Sequence, residues 1–143
     1  MKRYVKLIGI PFIIAVGIFL FIKFIWLKGF EFTNITVDDY VTLYNSNAEG
    51  IIYVTEEGAV KKDEFEVIIE TVFEGKNVTV YKLDLTNISG DEKQKFIDAN
   101  EFTEDAFTIP MVLYVKEGTV VDSIEGYAPE YKVRELVEKN NIE

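Results

Sequence analysis

The chain has 143 residues, 48% of them hydrophobic, and a formal net charge of −10, with no cysteine and no histidine. Those absences exclude a disulfide, a thiol nucleophile, thiolate or imidazole metal ligands and an imidazole base. Residues 1–28 hold five Lys/Arg and no acid, whereas residues 29–143 hold ten Lys/Arg against 25 Asp/Glu, about −15. Such a field repels phosphate backbones, so nucleic acid is not an expected partner.

Residues 4–27 (YVKLIGIPFIIAVGIFLFIKFIWL) are apolar on every face, with an uncharged run over 7–22. About 20 helical residues cover the ~30 Å hydrocarbon layer of a bilayer. Lys6 and Lys23 can snorkel to opposite headgroup layers, and Tyr4 and Trp26 suit the interfaces. A cleaved signal peptide would be shorter and end in a small-residue site, which is absent here. The segment therefore reads as one N-terminal transmembrane signal-anchor helix over 1–28, contacting membrane lipid through residues 4–27. Lys2, Arg3 and Lys6 precede the span, and the positive-inside rule then puts the N-terminus in the cytoplasm and the acidic part in the extracytoplasmic space. Gly9, Ala15 and Gly17 supply small residues but no G-x-x-x-G helix-pairing motif.

Residues 29–35 read as a linker. Thr36, with Asp39 three residues on, forms a capping-box pattern for a helix over 37–45. Ile51, Ile52, Tyr53 and Val54 make an apolar run typical of a strand buried on both faces. Phe65, Ile68, Ile69, Val72 and Phe73 fall at helical spacing, with Asp63 and Glu66 as the expected cap pair and Gly75 past the end. A strand follows over 77–85, a polar helix over 89–100 anchored by Phe96 and Ile97, and an apolar strand over 111–115. Lys116-Glu117-Gly118 turns into a strand over 119–124, and a last helix over 129–140 buries Val133, Leu136 and Val137. Strands separated by helices imply parallel crossovers, and the closing hairpin adds an antiparallel edge. The expected architecture is α/β: a four-stranded mixed sheet flanked by helices over 36–143, preceded by the transmembrane helix.

Residues 107–127 (FTIPMVLYVKEGTVVDSIEGY) resemble the C-terminal half of the thioredoxin family without a gap. Ile109-Pro110 stands at the family's cis-proline, Gly118 at its hairpin glycine and Gly126 at the glycine after its last strand. Residues 77–85 resemble the strand after the active-site helix, and the similarity covers about 36–142. The resemblance implies the thioredoxin fold. It also implies two cysteines at the start of the helix after the first strand, positions held here by Gly58 and Lys61. Glu57 replaces the preceding tryptophan, and Ile52 the buried acid. Thiol–disulfide exchange needs a sulfur, so oxidoreductase activity is excluded, and no catalytic residue, cofactor or metal is expected.

What the resemblance leaves is peptide recognition. In the family, the backbone before the proline pairs with an extended substrate. The implied peptide-binding residues of this degenerate region are Glu56, Glu57, Gly58, Ala59, Val60, Lys61, Ile109 and Pro110, with Tyr127 beside them. Glu56 and Glu57 favour basic peptides. The implied role is a protein- or peptide-binding accessory module at a membrane, of the kind found beside bacterial secretion and envelope systems. The alternatives are a structural subunit held in a membrane complex through its helix, and an enzyme built on carboxylates or a metal. Residues 84–92 fail the EF-hand pattern, because Ile88 takes a ligand position and the terminal Glu is missing. Asn34, Asn77 and Asn87 begin glycosylation-type triplets that are frequent by chance.

Overall fold

The computed structural model describes residues 29–100 and 107–143. The expected transmembrane helix lies outside the described residues, and among those described no helix is long and apolar enough to cross a membrane. The elements run β1 (Thr33–Ile35), α1 (Val37–Tyr44), β2 (Glu49–Thr55), α2 (Lys62–Phe73), β3 (Val80–Asp84), α3 (Gly90–Ala99), β4 (Met111–Lys116), β5 (Thr119–Glu125) and α4 (Glu130–Lys139). The sheet order is β1-β3-β2-β4-β5. β1, β3 and β2 are mutually parallel, while β4 and β5 are antiparallel additions.

The expected four strands are thus corrected to five. The extra strand comes from the segment read as a linker: Thr33 pairs with Tyr81 and Ile35 with Leu83. Its three residues bury little by themselves, which is why the strand carries only a faint pattern. Its preceding residues show the period-2 signal instead, since Phe30 and Phe32 both pack on the core.

α1 begins as its sequence requires. The Thr36 hydroxyl accepts from the Asp39 amide, and the Asp39 carboxylate accepts in return from the Thr36 amide. Ser89 and Glu92 repeat this box at α3, and each box satisfies two donors that the first helical turn leaves unpaired. Gly118 must be glycine: its φ is +72°, and a Cβ there would lie 2.8 Å from the Tyr44 carbonyl oxygen.

The sheet separates two apolar layers. On one face Ile51, Tyr53, Val80, Val112 and Tyr114 meet Phe65, Ile69, Val72 and Phe73 of α2 and Val133, Leu136 and Val137 of α4. On the other, Ile52, Val54, Leu83, Met111 and Leu113 meet Val37 and Tyr40 of α1 and Phe96 of α3. Burial on both faces explains why β2 and β4 read as unbroken apolar runs.

Three buried phenols make the fold sensitive to alkali. Burial above all pushes up the ionisations of Tyr40 and Tyr53. It pushes Tyr114 to about 12, helped by the Glu49 carboxylate that accepts its hydroxyl at 2.5 Å. A phenol raised above its unfolded value of about 10 adds stability that is complete below that pH and is lost as pH rises toward the folded value. The unfolding midpoint should therefore hold steady to about pH 10 and fall between about 10 and 12, with phenolate absorbance appearing alongside unfolding. Phenols that ionise near pH 10 without loss of structure would contradict this assignment.

Candidate functional site

The residues singled out in the sequence gather at one pole of the sheet, where β2 and β3 end and β4 begins. Two hydrogen bonds interlock the loops there: the Leu85 amide donates to the Thr55 carbonyl at 2.8 Å, and the Glu57 amide to Thr86 Oγ1 at 2.6 Å. A third, from the Thr86 amide to Asp84 Oδ1 at 2.9 Å, rigidifies the supporting turn. Burial alone would raise the Asp84 carboxyl, but the Thr86 bonds and the ammoniums of Lys62 and Lys82 outweigh it and hold the group low.

Residues 56–61 form a tight turn in which the Ala59 amide donates to the Glu56 carbonyl and the Lys62 amide to the Ala59 carbonyl, each at 3.2 Å. Gly58 at φ 82° and Lys61 at φ 55° are both left-handed. The expected cap pair is corrected here. Lys61 occupies the cap position of α2 with no side-chain cap bond, and Asp63 lies inside the first turn. Glu66 points down to the sheet, where its Oε1 accepts from Lys82 Nζ at 2.8 Å. The preference of Asp for caps lost to the loop geometry, which fixes where the helix can begin.

The position the resemblance assigns to the second cysteine now holds a cation. The Lys61 ammonium lies 4.4 Å from the centre of the Tyr127 ring and 3.5 Å from Glu64 Oε2. The Tyr127 hydroxyl donates to Glu64 Oε1 at 2.5 Å. That bond, reinforced by the nearby Lys61 charge, lowers the Glu64 carboxyl, and the same bond raises the Tyr127 phenol. A helix N-terminus that would stabilise a thiolate therefore carries an ammonium held by a ring and a carboxylate. Ile52, at the position of the family's acid, is buried among apolar side chains. Two buried hydroxyls stand beneath the turn, the Tyr53 phenol and Thr55 Oγ1, and the phenol faces Thr55 and Glu66.

Across the loop, the Ile109–Pro110 peptide is cis and the Gly126 amide donates to the Thr108 carbonyl at 3.2 Å. Ile109's own amide and carbonyl make no backbone hydrogen bond among the described residues. Beside it opens a cavity of about 320 Å³ lined by Glu56, Leu85, Ile88, Lys93, Phe107 and Ile109. The structure thus brings the two named stretches, 56–61 and 109–110, to the same pole. Leu85, Ile88, Lys93 and Phe107 escape a sequence reading because three separate segments supply them. Glu56 and Glu57 are exposed, and neither joins an ion pair among the described residues. No group of three or more acids placed to hold a metal occurs among the described residues.

No protein-family model and no curated protein sequence matches the chain. Solved structures do. Thioredoxin from Malassezia sympodialis is 16% identical with a TM-score of 0.58, covering 76% of this chain and 90% of that one. Thioredoxin from Aeropyrum pernix is 16% identical with a TM-score of 0.56, over 74% and 84%. Thioredoxin from Trypanosoma brucei brucei is 12% identical with a TM-score of 0.58, over 80% and 95%. At these identities the likeness speaks of fold. The chain has a thioredoxin-like fold, and its lack of cysteine removes thiol–disulfide exchange.

Proposed function

We propose that this protein is a non-catalytic, peptide-binding accessory module held at the extracytoplasmic face of a membrane by residues 4–27. The observation that carries the binding role is the open groove beside Ile109. It is lined by Leu85, Ile88, Phe107 and Ile109 together with the charged Glu56 and Lys93, and its volume is in the range of ligand sites. The adjacent Ile109 amide and carbonyl, which make no backbone hydrogen bond among the described residues, can pair with an extended chain. Main-chain pairing supplies affinity without any sulfur. Glu56 and Glu57, unneutralised on the rim, select for basic residues. Lys61 is engaged by Glu64 and Tyr127, and among the described residues Lys93 is the single cation lining the groove against the two rim glutamates. Anchoring rests on the length and apolarity of residues 4–27, and the orientation on the basic residues before them.

The test is equilibrium binding of a fluorescent, lysine-containing extended peptide to the full chain in micelles. Glu56→Gln with Glu57→Gln should weaken it by about 5–30-fold, corresponding to about 1–2 kcal/mol for two partly solvated charge contacts. The loss should shrink as salt rises. Equal affinity of the double variant and the parent, or tighter binding of an acidic peptide, would refute the reading.

A further inference from the structure

The direction of the parallel strands fixes where the groove stands relative to the N-terminal segment. β1 is parallel to β3, and β3 to β2. The chain therefore enters where these strands begin, and the groove lies where β2 and β3 end. Glu49, opposite Lys116, and Asn77, whose amide donates to the Glu143 carbonyl at 2.6 Å, mark the entry pole. β2 has seven residues, so the poles are about 20 Å apart along the strands at about 3.3 Å per residue.

The entry is held tightly. Phe30 meets Phe32 edge-on at 4.9 Å, Phe32 lies 5.7 Å from the Tyr53 ring, and the Lys82 ammonium sits 5.4 Å from the Phe32 centroid. The row continues through Phe65 to Tyr127 at the groove pole. Among the described residues packing begins at Phe30, with Lys28 and Gly29 alone between it and the apolar segment in sequence. Three Cα steps reach about 11 Å, whereas a domain of about 115 residues is about 35 Å across. So short a tether cannot let the domain roll over and lay its far pole on the bilayer.

We infer that the groove is presented at the membrane-distal pole, to an extended basic segment of a partner in aqueous space and not to lipid or a membrane-buried helix. This rests on the anchoring and peptide-binding reading above. At about 20 Å from the entry pole, Glu56 and Glu57 stand more than two Debye lengths from the headgroups at physiological salt. Anionic lipid then does not compete at the groove with these carboxylates for the basic peptide.

The chain's lack of cysteine permits clean single-site labelling. Val60→Cys at the groove pole and Thr119→Cys at the entry pole, both exposed, would carry the same fluorophore. The full chain would be reconstituted in phosphatidylcholine–phosphatidylglycerol vesicles containing a nitroxide-headgroup lipid, and circular dichroism would confirm that each variant folds. The label at 119 should be quenched several-fold more strongly than the label at 60. Equal or stronger quenching at 60 in protein that floats with the vesicles would overturn the inference and leave the anchor standing. Protein that stays in the aqueous fraction would remove the anchor, and the inference with it.

Discussion

Phe65→Ala is expected to lower the free energy of unfolding by about 3–5 kcal/mol, the usual cost of emptying a buried aromatic position. Phe65 is fully buried in the first turn of α2. Its ring lies 5.9 Å from Tyr53 and 5.8 Å from Tyr127, edge-on to both. It is the central link in the row that ties the entry strand to the groove pole. Truncation removes transfer energy, leaves a cavity between sheet and helix, and withdraws the support beneath Tyr127. Tyr127 in turn holds Lys61 and Glu64, so the variant should also loosen the turn over 56–61. Chemical denaturation reads the first effect and amide exchange at Gly58 and Lys61 reads the second. A loss below about 1.5 kcal/mol would mean that the site collapses around the missing ring, contrary to the packing described.

The second large effect concerns the Lys82–Glu66 pair, which pins α2 to β3, the strand between β1 and β2. Its 2.8 Å contact has side-chain exposures of 18% and 20%. Neither group is well solvated, so removing one strands the other. Glu66→Leu alone and Lys82→Leu alone should each cost about 2–3 kcal/mol. Replacing both with leucine should cost much less than the sum, because the desolvation of the charges disappears with them. A double-mutant cycle should show about 1–3 kcal/mol of coupling. Strict additivity would show that the pair does not hold helix to sheet.

Most of the framework was legible in residue chemistry. The run 51–54 announced a doubly buried strand, and Thr36 with Asp39 announced a helix start. Pro110 and Gly118 fell at places where the backbone needs them. What escaped was decided between segments. β1 is three residues whose partner lies nearly fifty residues on, at Tyr81 to Leu83. Glu66 read as a local cap partner because nothing near it in sequence discloses Lys82. The groove follows the same rule: residues 56–61 and 109–110 stand out in the sequence only through the resemblance to the thioredoxin pattern. Leu85, Ile88, Lys93 and Phe107 became neighbours of Ile109 only through the crossover that brings β3 and α3 alongside. The resemblance implies Lys61 as one of the peptide-binding residues but gives no sign of its contacts with Glu64 and Tyr127. The contact with the face of Tyr127 needs the loop after β5 to arrive beside the start of α2.

The position that the resemblance assigns to the second cysteine bears on mechanism. A chain that had only lost its sulfurs would leave a bare helix N-terminus beside the proline loop. Here Lys61, Glu64 and Tyr127 occupy that place with their own contacts, and the open volume lies on the other side, toward Ile88 and Phe107. Recognition in this account is one-sided, with main-chain pairing at Ile109, apolar contact in the groove and charge selection at Glu56 and Glu57.

The proposed function requires that an extended basic peptide dock along Ile109. The most direct measurement is amide chemical-shift mapping of the isotope-labelled full chain in micelles during titration with a lysine-containing extended peptide. The account predicts saturable shifts concentrated at residues 56–61, Ile88 and Ile109, with Asn77 and Thr119 at the entry pole unmoved. Shifts scattered over the acidic surface, or a silent Ile109 amide at saturation, would contradict it.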